Sequence, residues 1–231
     1  MQTSAQNPES TIKPTARFSA DRLRWVFAAQ ADILDPRTYL QKVLIEPCPE
    51  GGVYVVATNG ALLMIAYDAK GTASHRFTFD PLHEIAAICG YPIEDDPIFS
   101  SSTWADTIVI DGDTLSACRA WPTQEAPEPV LFQKIKIGEE FPSWQPLARP
   151  SGPTNPVRAF VQKTLLEIAL YGLKNTPAEM SLHRYSPQGA DANEQPVHIT
   201  FSNLPLRGVL MPLKTREREH IAGPVPMPFD A

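Results

Sequence analysis

The sequence predicts an α+β protein of antiparallel sheets with helices packed on one face, and three observations carry that expectation. Two turn signals, Thr58-Asn59-Gly60 and Asp111-Gly112-Asp113, each lie between runs rich in β-branched and apolar residues. Asn-Gly and Asp-Gly pairs accept the positive φ that a tight antiparallel turn demands. Stretches at 20–32 and 157–171 instead repeat apolar residues every three or four positions, the period of a helix with one buried stripe. Finally, the 231 residues include 24 prolines, many where strands should end, around Pro47, Pro92, Pro122, Pro127 and Pro129. That distribution suits many short strands joined by turns better than long helices.

In chain order, residues 1–15 read as a polar, flexible leader. Ser19 is placed to cap a helix over 20–32, with Leu23, Val26, Phe27, Gln30 and Ala31 on its buried stripe and Arg22, Arg24, Trp25 and Asp32 opposite. A meander of strands at 39–46, 53–57 and 62–67 follows. A short strand, 75–79, leads into a second helix over 81–89 that Gly90 can end. Strands at 107–110 and 115–120 form the second hairpin, and a strand at 132–137 runs into Gly138-Glu-Glu-Phe-Pro142. The Pro/Gly/Ser-rich stretch 148–156 reads as a linker. The longest helix, 157–171, comes next, with Phe160, Val161, Thr164, Ile168 and Tyr171 on one side and Arg158 and Gln162 on the other. Strands at 179–185, 197–201 and 206–213 close the fold, and 215–231 is a tail, first charged and then Pro-rich. The expected organisation is thus a leader (1–15), a domain (16–147), a linker (148–156), a partial second domain (157–214) and a flexible tail (215–231).

Composition narrows the function classes. A formal charge of −6 and a pI near 5.4 argue against a protein that coats nucleic acid over its whole surface, although a local basic face stays open. Cys48, Cys89 and Cys118 are widely spaced and form no C-x-x-C pair, so they read as buried thiols in a reducing compartment. The N-terminus has no apolar signal core, and no run approaches the ~18 apolar residues of a membrane span. A cytoplasmic protein without membrane contact is expected. The sequence contains no Gly-rich phosphate loop, no H-E-x-x-H and no G-x-S-x-G, so no enzymatic activity and no cofactor or metal are expected. His83 reads as a structural or surface residue, and Glu94-Asp95-Asp96 as a solvated loop. Gln162 to Leu166 has the look of a short Gln-and-Leu docking peptide, but Leu165 within it is expected to serve helix packing.

Three stretches carry a family resemblance. The stretch from Phe18 to Tyr67, with F-S-A-D-R-L-R-W-V-F, Y-L-Q-K-V-L-I-E-P and V-Y-V-V-A-T-N-G-A-L-L-M-I-A in order, looks like the helix, strand and hairpin of the middle domain of the bacterial DNA polymerase III β sliding clamp. Gly138-Glu-Glu-Phe-Pro-Ser-Trp144 is similar to the segment that closes that domain, and Val209-Leu-Met-Pro-Leu-Lys214 to the end of the clamp. The resemblance is to a divergent and shortened member. It assigns no residues to a first clamp domain, leaves the last with one helix and three strands, and has Ala61-Leu62 where the family hairpin carries His-Arg.

The resemblance implies a DNA-clamp-like fold and a processivity factor that tethers a polymerase or other partner. The alternative it leaves is a clamp-like adaptor or decoy that binds the same peptides without encircling DNA. It places a peptide-binding pocket at Thr58, Gly60, Ala61, Leu62, Leu63, Val209, Met211, Pro212 and Leu213, for clamp-binding peptides of a polymerase or loader, with Ala61-Leu62 expected to make the groove greasier. Double-stranded DNA would be met, without sequence reading, by Arg22, Arg24, Arg158 and Lys163. A homo-oligomer is implied, closing a ring as trimeric two-domain clamps do, with 107–110, 115–120 and 206–213 as candidate edge strands.

Overall fold

The computed structural model describes residues 13–89, 104–119, 128–148, 154–156, 166–167, 169–170, 173, 178–185 and 196–211. Two antiparallel sheets hold the chain. The smaller contains β1 (Thr15–Ser19), β5 (Thr72–Ala73), β7 (Thr107–Asp111), β8 (Thr114–Arg119) and β9 (Glu128–Lys134), in the order β5-β1-β7-β8-β9. The larger contains β2 (Val43–Pro47), β3 (Val53–Thr58), β4 (Leu62–Asp68), β6 (Phe77–Phe79), β10 (Ile137–Gly138), β11 (Thr154–Pro156), β12 (Met180–Tyr185), β13 (Val197–Phe201) and β14 (Leu206–Leu210). Its order is β10-β6-β2-β3-β4-β14-β13-β12-β11. The helices are short: α1 (Ala20–Phe27), α2 (His83–Ile88) and α3 (Gln145–Ala148), with a 3-10 turn at Thr38–Gln41.

Both hairpin turns form where the sequence places them. Gly60 has φ 88° and Gly112 φ 63°, the left-handed region open to glycine at little cost. The first turn is also locked by side chains: Asn59 Oδ1 accepts from the amides of Ala61 and Leu62, Thr58 Oγ1 accepts from the Gly60 amide, and the Thr58 hydroxyl donates to the Leu62 carbonyl at 2.8 Å. This pins the β3–β4 register, in which Thr58 faces Leu63 and Val56 faces Ile65.

Alternation along the central strands divides the interior in two. Val43 and Ile45 of β2, Val53, Val55 and Ala57 of β3, and Leu62, Met64 and Ala66 of β4 point to one face. There they share the principal core with Leu23 and Val26 of α1 and with Phe18, Ile108, Ile110 and Leu115 of the smaller sheet. The intervening residues Leu44, Val56, Leu63 and Ile65, with Val209 of β14, point to the opposite face and form a second core around Trp144. A strand buried on both faces is the expected source of the near-continuous apolar run in β4.

Several boundaries differ from the sequence expectation. α1 ends at Phe27 rather than 32, because the chain turns away and the Ala31 amide donates to the Leu40 carbonyl. Ser19 adopts the extended N-cap conformation without a side-chain cap bond, and its own amide donates to Asp68 Oδ2 at 2.7 Å. Trp25, expected on the outer face, is buried. The first meander strand starts at Val43, not 39, since 38–41 is a 3-10 turn. The strand expected at 132–137 is broken between β9 and β10, where the Ile135 amide donates to the Asp113 carbonyl and the Lys136 amide to Asp80 Oδ1. Thr154–Pro156, inside the stretch read as a linker, pairs with β12. The helix expected at 157–171 lies mostly outside the described residues, with 166–167 and 169–170 helical.

The candidate edge strands are corrected too. β7 lies between β1 and β8, β8 between β7 and β9, and β14 between β4 and β13, so all three are interior. Among the described residues the sheet edges are β5, β9, β10 and β11.

Candidate functional site

The site grows from the seam between β4 and β14. Leu63 lies opposite Val209 and Leu62 opposite Leu210, and beyond the last pair the Met211 amide donates to the Ala61 carbonyl at 2.9 Å. The seam therefore brings the 58–63 hairpin against the end of β14, two segments almost 150 residues apart in the chain, roughly one strand spacing of 4.8 Å from each other. An apolar groove of about 200 Å³ opens over them, lined by Thr58, Gly60, Ala61, Leu62, Leu63, Val209 and Met211 on the hairpin side. Pro212 and Leu213 lie outside the described residues.

A second wall comes from residues that the sequence reading did not assign to a site. Phe141, Pro142, Ser143, Trp144 and Leu147 also line the groove, together with Leu40 beside Gly60. This wall is held by Glu46, which projects from β2. Its Oε2 accepts from Trp144 Nε1 at 3.0 Å and from Arg76 Nε at 3.3 Å, while Oε1 accepts from Gln145 Nε2 at 2.7 Å. Arg76 also donates to the carbonyls of Glu139 and Phe141. One partly buried ion pair thus tethers the whole 139–145 segment to the sheet. The F-P-S-W cluster was the available signal, because buried aromatic residues with a polar handle are commonly anchored by a distant acceptor.

Groove accessibility is uneven. Leu62 is 0% exposed and belongs to the principal core, so it adds no reachable apolar surface, and the greasier groove expected from Ala61-Leu62 rests on Ala61 alone. Leu63 and Val209 form a nearly buried floor, whereas Met211 is 39% exposed and Leu147 stands at the rim. Charge approaches from one side. Arg37, paired with Asp35 at 2.7 Å, donates to the Asn59 carbonyl at 3.3 Å. The Arg37 hydrogen bonds hold the Asp35 carboxyl down to about 2. Glu46→Ala is expected to free Trp144 and Gln145. A rise of at least fivefold in amide exchange over 139–148, with little change in β3 and β4, would show that Glu46 acts through this wall.

Trp144 also lines a second, larger groove of about 610 Å³ on its other side, bounded by Tyr54, Tyr67, Pro47, Pro49, Pro205, Glu50 and Arg207. The rings of Tyr54 and Trp144 lie 5.3 Å apart, as do those of Tyr54 and Tyr67. Cys48 Sγ and Tyr54 Oη lie 3.5 Å apart, and this contact, with burial, pushes the phenol up to about 12.

The residues expected to meet DNA are not gathered at the groove. Arg22 and Arg24 lie half-buried on α1, and the Arg22 guanidinium stacks 4.3 Å over the Trp25 ring. Burial lowers the Arg22 pKa, while the nearby Asp68 and Asp21 carboxylates oppose that shift. Its Nε is buried without a hydrogen-bond partner. Arg158 and Lys163 lie outside the described residues. His83 is exposed against Phe27, ring centroids 5.6 Å apart, and among the described residues no cluster of three or more His, Cys, Asp or Glu side chains is placed to hold a metal. No helix among the described residues is long and apolar enough to cross a membrane.

No protein-family model matches the sequence, and no curated protein matches it. Solved structures do. The chain is similar to the DNA polymerase III β subunit of Thermotoga maritima at 13% identity and a TM-score of 0.51, over 89% of this chain and 67% of that one. It is similar to the β subunit of Borrelia burgdorferi, solved in complex with a natural product, at 9% identity and a TM-score of 0.54, over 93% of this chain and 67% of that one. The β chain of Streptococcus pneumoniae gives 11%, 0.50, 93% and 69% for the same quantities. At such identities the likeness is one of architecture: two antiparallel sheets with few helices, arranged as in the bacterial DNA polymerase III β subunit fold.

Proposed function

We propose that this chain is a non-enzymatic, cytoplasmic docking protein of DNA replication that captures short peptide segments of a polymerase or its loader in the groove between the 58–63 hairpin and Met211. The observation that supports this most directly is the convergence of the hairpin, the end of β14 and the Glu46-tethered Trp144 on one apolar groove. Its volume of about 200 Å³ is below the ~300–1,000 Å³ of pockets for whole small molecules, which suits one or two apolar side chains of a peptide. In this reading the 16–147 and 157–214 units meet at the β4–β14 seam. A fluorescent Gln- and Leu-containing clamp-binding peptide of about ten residues is expected to bind the full chain, and Met211→Asp to weaken it at least tenfold, measured by anisotropy. Equal binding by both proteins would refute the groove.

The processivity reading adds that copies of the chain associate around double-stranded DNA, using edges such as β9 and β11, with Arg22, Arg24, Arg158 and Lys163 facing phosphates. The adaptor or decoy reading omits the DNA. Two observations favour the second: Arg22 is folded onto Trp25, and α2 carries no Lys or Arg. If Arg22 and Arg24 each meet a phosphate, Arg22→Ala combined with Arg24→Ala lowers the log–log salt slope of binding to circular duplex DNA by about 1.8, at ~0.9 per contact. An unchanged slope supports the adaptor.

A further inference from the structure

We propose that the larger groove beyond Trp144 is a binding site for a proline-rich extended segment, and that its occupant is the chain's own segment 224–229, Pro-Val-Pro-Met-Pro-Phe. This site is separate from the smaller docking groove, so the proposal stands or falls without it.

The lining identifies the ligand class. Tyr54, Tyr67 and Trp144 form a continuous band of rings at successive centroid spacings of 5.3 Å, and Pro47, Pro49 and Pro205 flank the groove. Tyr54 and Tyr67 are half-buried, so their ring faces remain partly open. Their hydroxyls are already engaged, Tyr67 donating to the Gly51 carbonyl and Tyr54 in contact with Cys48 Sγ. What the band offers is therefore the partly open ring faces of Tyr54 and Tyr67, tilted 43° to each other beside the nearly buried Trp144 ring. Such a surface matches proline, whose ring packs flat on aromatics and whose fixed φ lowers the entropy lost on binding.

The chain supplies such a segment within reach. A proline at every second position from 224 to 228 biases the backbone toward the extended polyproline conformation, and Val225, Met227 and Phe229 provide apolar side chains between and after the prolines. Met211, the last described residue, lies at the end of β14, whose first residue, Leu206, lines the larger groove. The five residues back to Leu206 span roughly 17 Å, and the thirteen from Met211 to Pro224 reach up to about 45 Å when extended. Connection through the chain places the segment at an effective concentration near millimolar, so even a weak site would be filled. Arg207, exposed at the groove, offers a partner to Asp230, the residue after Phe229.

The test places a benzophenone amino acid at position 229 of the full chain and maps its photo-crosslinks. The expected result is intramolecular crosslinking to Tyr54, Tyr67 or their strand neighbours on β3 and β4. Combining Pro224→Ala, Pro226→Ala and Pro228→Ala is expected to reduce the yield at least fivefold. Crosslinks that join two copies would overturn the intrachain occupant, and crosslinks spread over other surfaces, or a yield unchanged in the triple variant, would overturn the site itself.

Discussion

Replacing Trp144 by alanine is expected to destabilise the protein by about 3 kcal/mol and to weaken peptide docking at least tenfold, because one side chain serves two purposes. Trp144 is nearly buried in the second core, packed with Leu44, Val56, Leu63, Ile65 and Val209. Truncating a buried aromatic residue to alanine typically costs about 3–5 kcal/mol, and the lower end applies here because the 139–148 segment can relax. The same ring forms the wall between the two grooves. Trp144→Phe separates the two effects. It keeps most of the apolar contact but loses the indole donor to Glu46, so stability should fall by about 1 kcal/mol, while docking keeps its floor of Leu63 and Val209. Urea unfolding and anisotropy on the three proteins give both quantities. Docking unchanged in Trp144→Ala would remove this wall from the site, whatever happened to stability.

The fold was legible where its causes are local. Asn59-Gly60 and Asp111-Gly112 announce their hairpins because positive φ and side-chain-to-amide bonds are properties of four or five consecutive residues. Features set by distant partners were not. The apolar spacing of α1 continues through Gln30 and Ala31, yet the helix ends at Phe27 because Ala31 is bound by Leu40. Trp25 looks like an outward residue on a helical wheel, and becomes buried with Arg22 laid over its ring. β7 reads as an edge until β1, some ninety residues earlier, pairs with it. The candidate site divides in the same way. The hairpin and the end of β14 were visible through a family resemblance, and Leu63 opposite Val209 follows once β4 and β14 pair. The second wall was not visible, since it depends on a bond from Trp144 to Glu46 across 98 positions. No short motif encodes such a contact.

The turn before β3 gives the other large effect, and its two glycines form an internal control. Gly51 and Gly52 both have positive φ, 102° and 79°, so any side chain there carries conformational strain of order 1 kcal/mol or more. Their surroundings differ. A Cβ on Gly51 would meet nothing within 4 Å, whereas one on Gly52 would lie 2.4 Å from the Asp68 carbonyl oxygen and 3.0 Å from both the Ala69 Cα and a Tyr67 ring carbon. Two of these three neighbours are backbone, at the end of β4, and cannot rotate aside. Relieving the contact means displacing β3 from β4 at the pair Val53–Asp68, beside the carboxylate that receives the Ser19 amide. The Gly52 carbonyl also accepts from the Cys48 amide at 3.0 Å, so the turn lining the larger groove would shift with it. Gly51→Ala is therefore expected to cost about 1 kcal/mol, and Gly52→Ala at least about 3 kcal/mol, as overpacking adds to strain. Equal losses in the midpoint of urea unfolding would show that backbone conformation alone governs this turn and that the close approach of Gly52 to Asp68 carries no energetic weight.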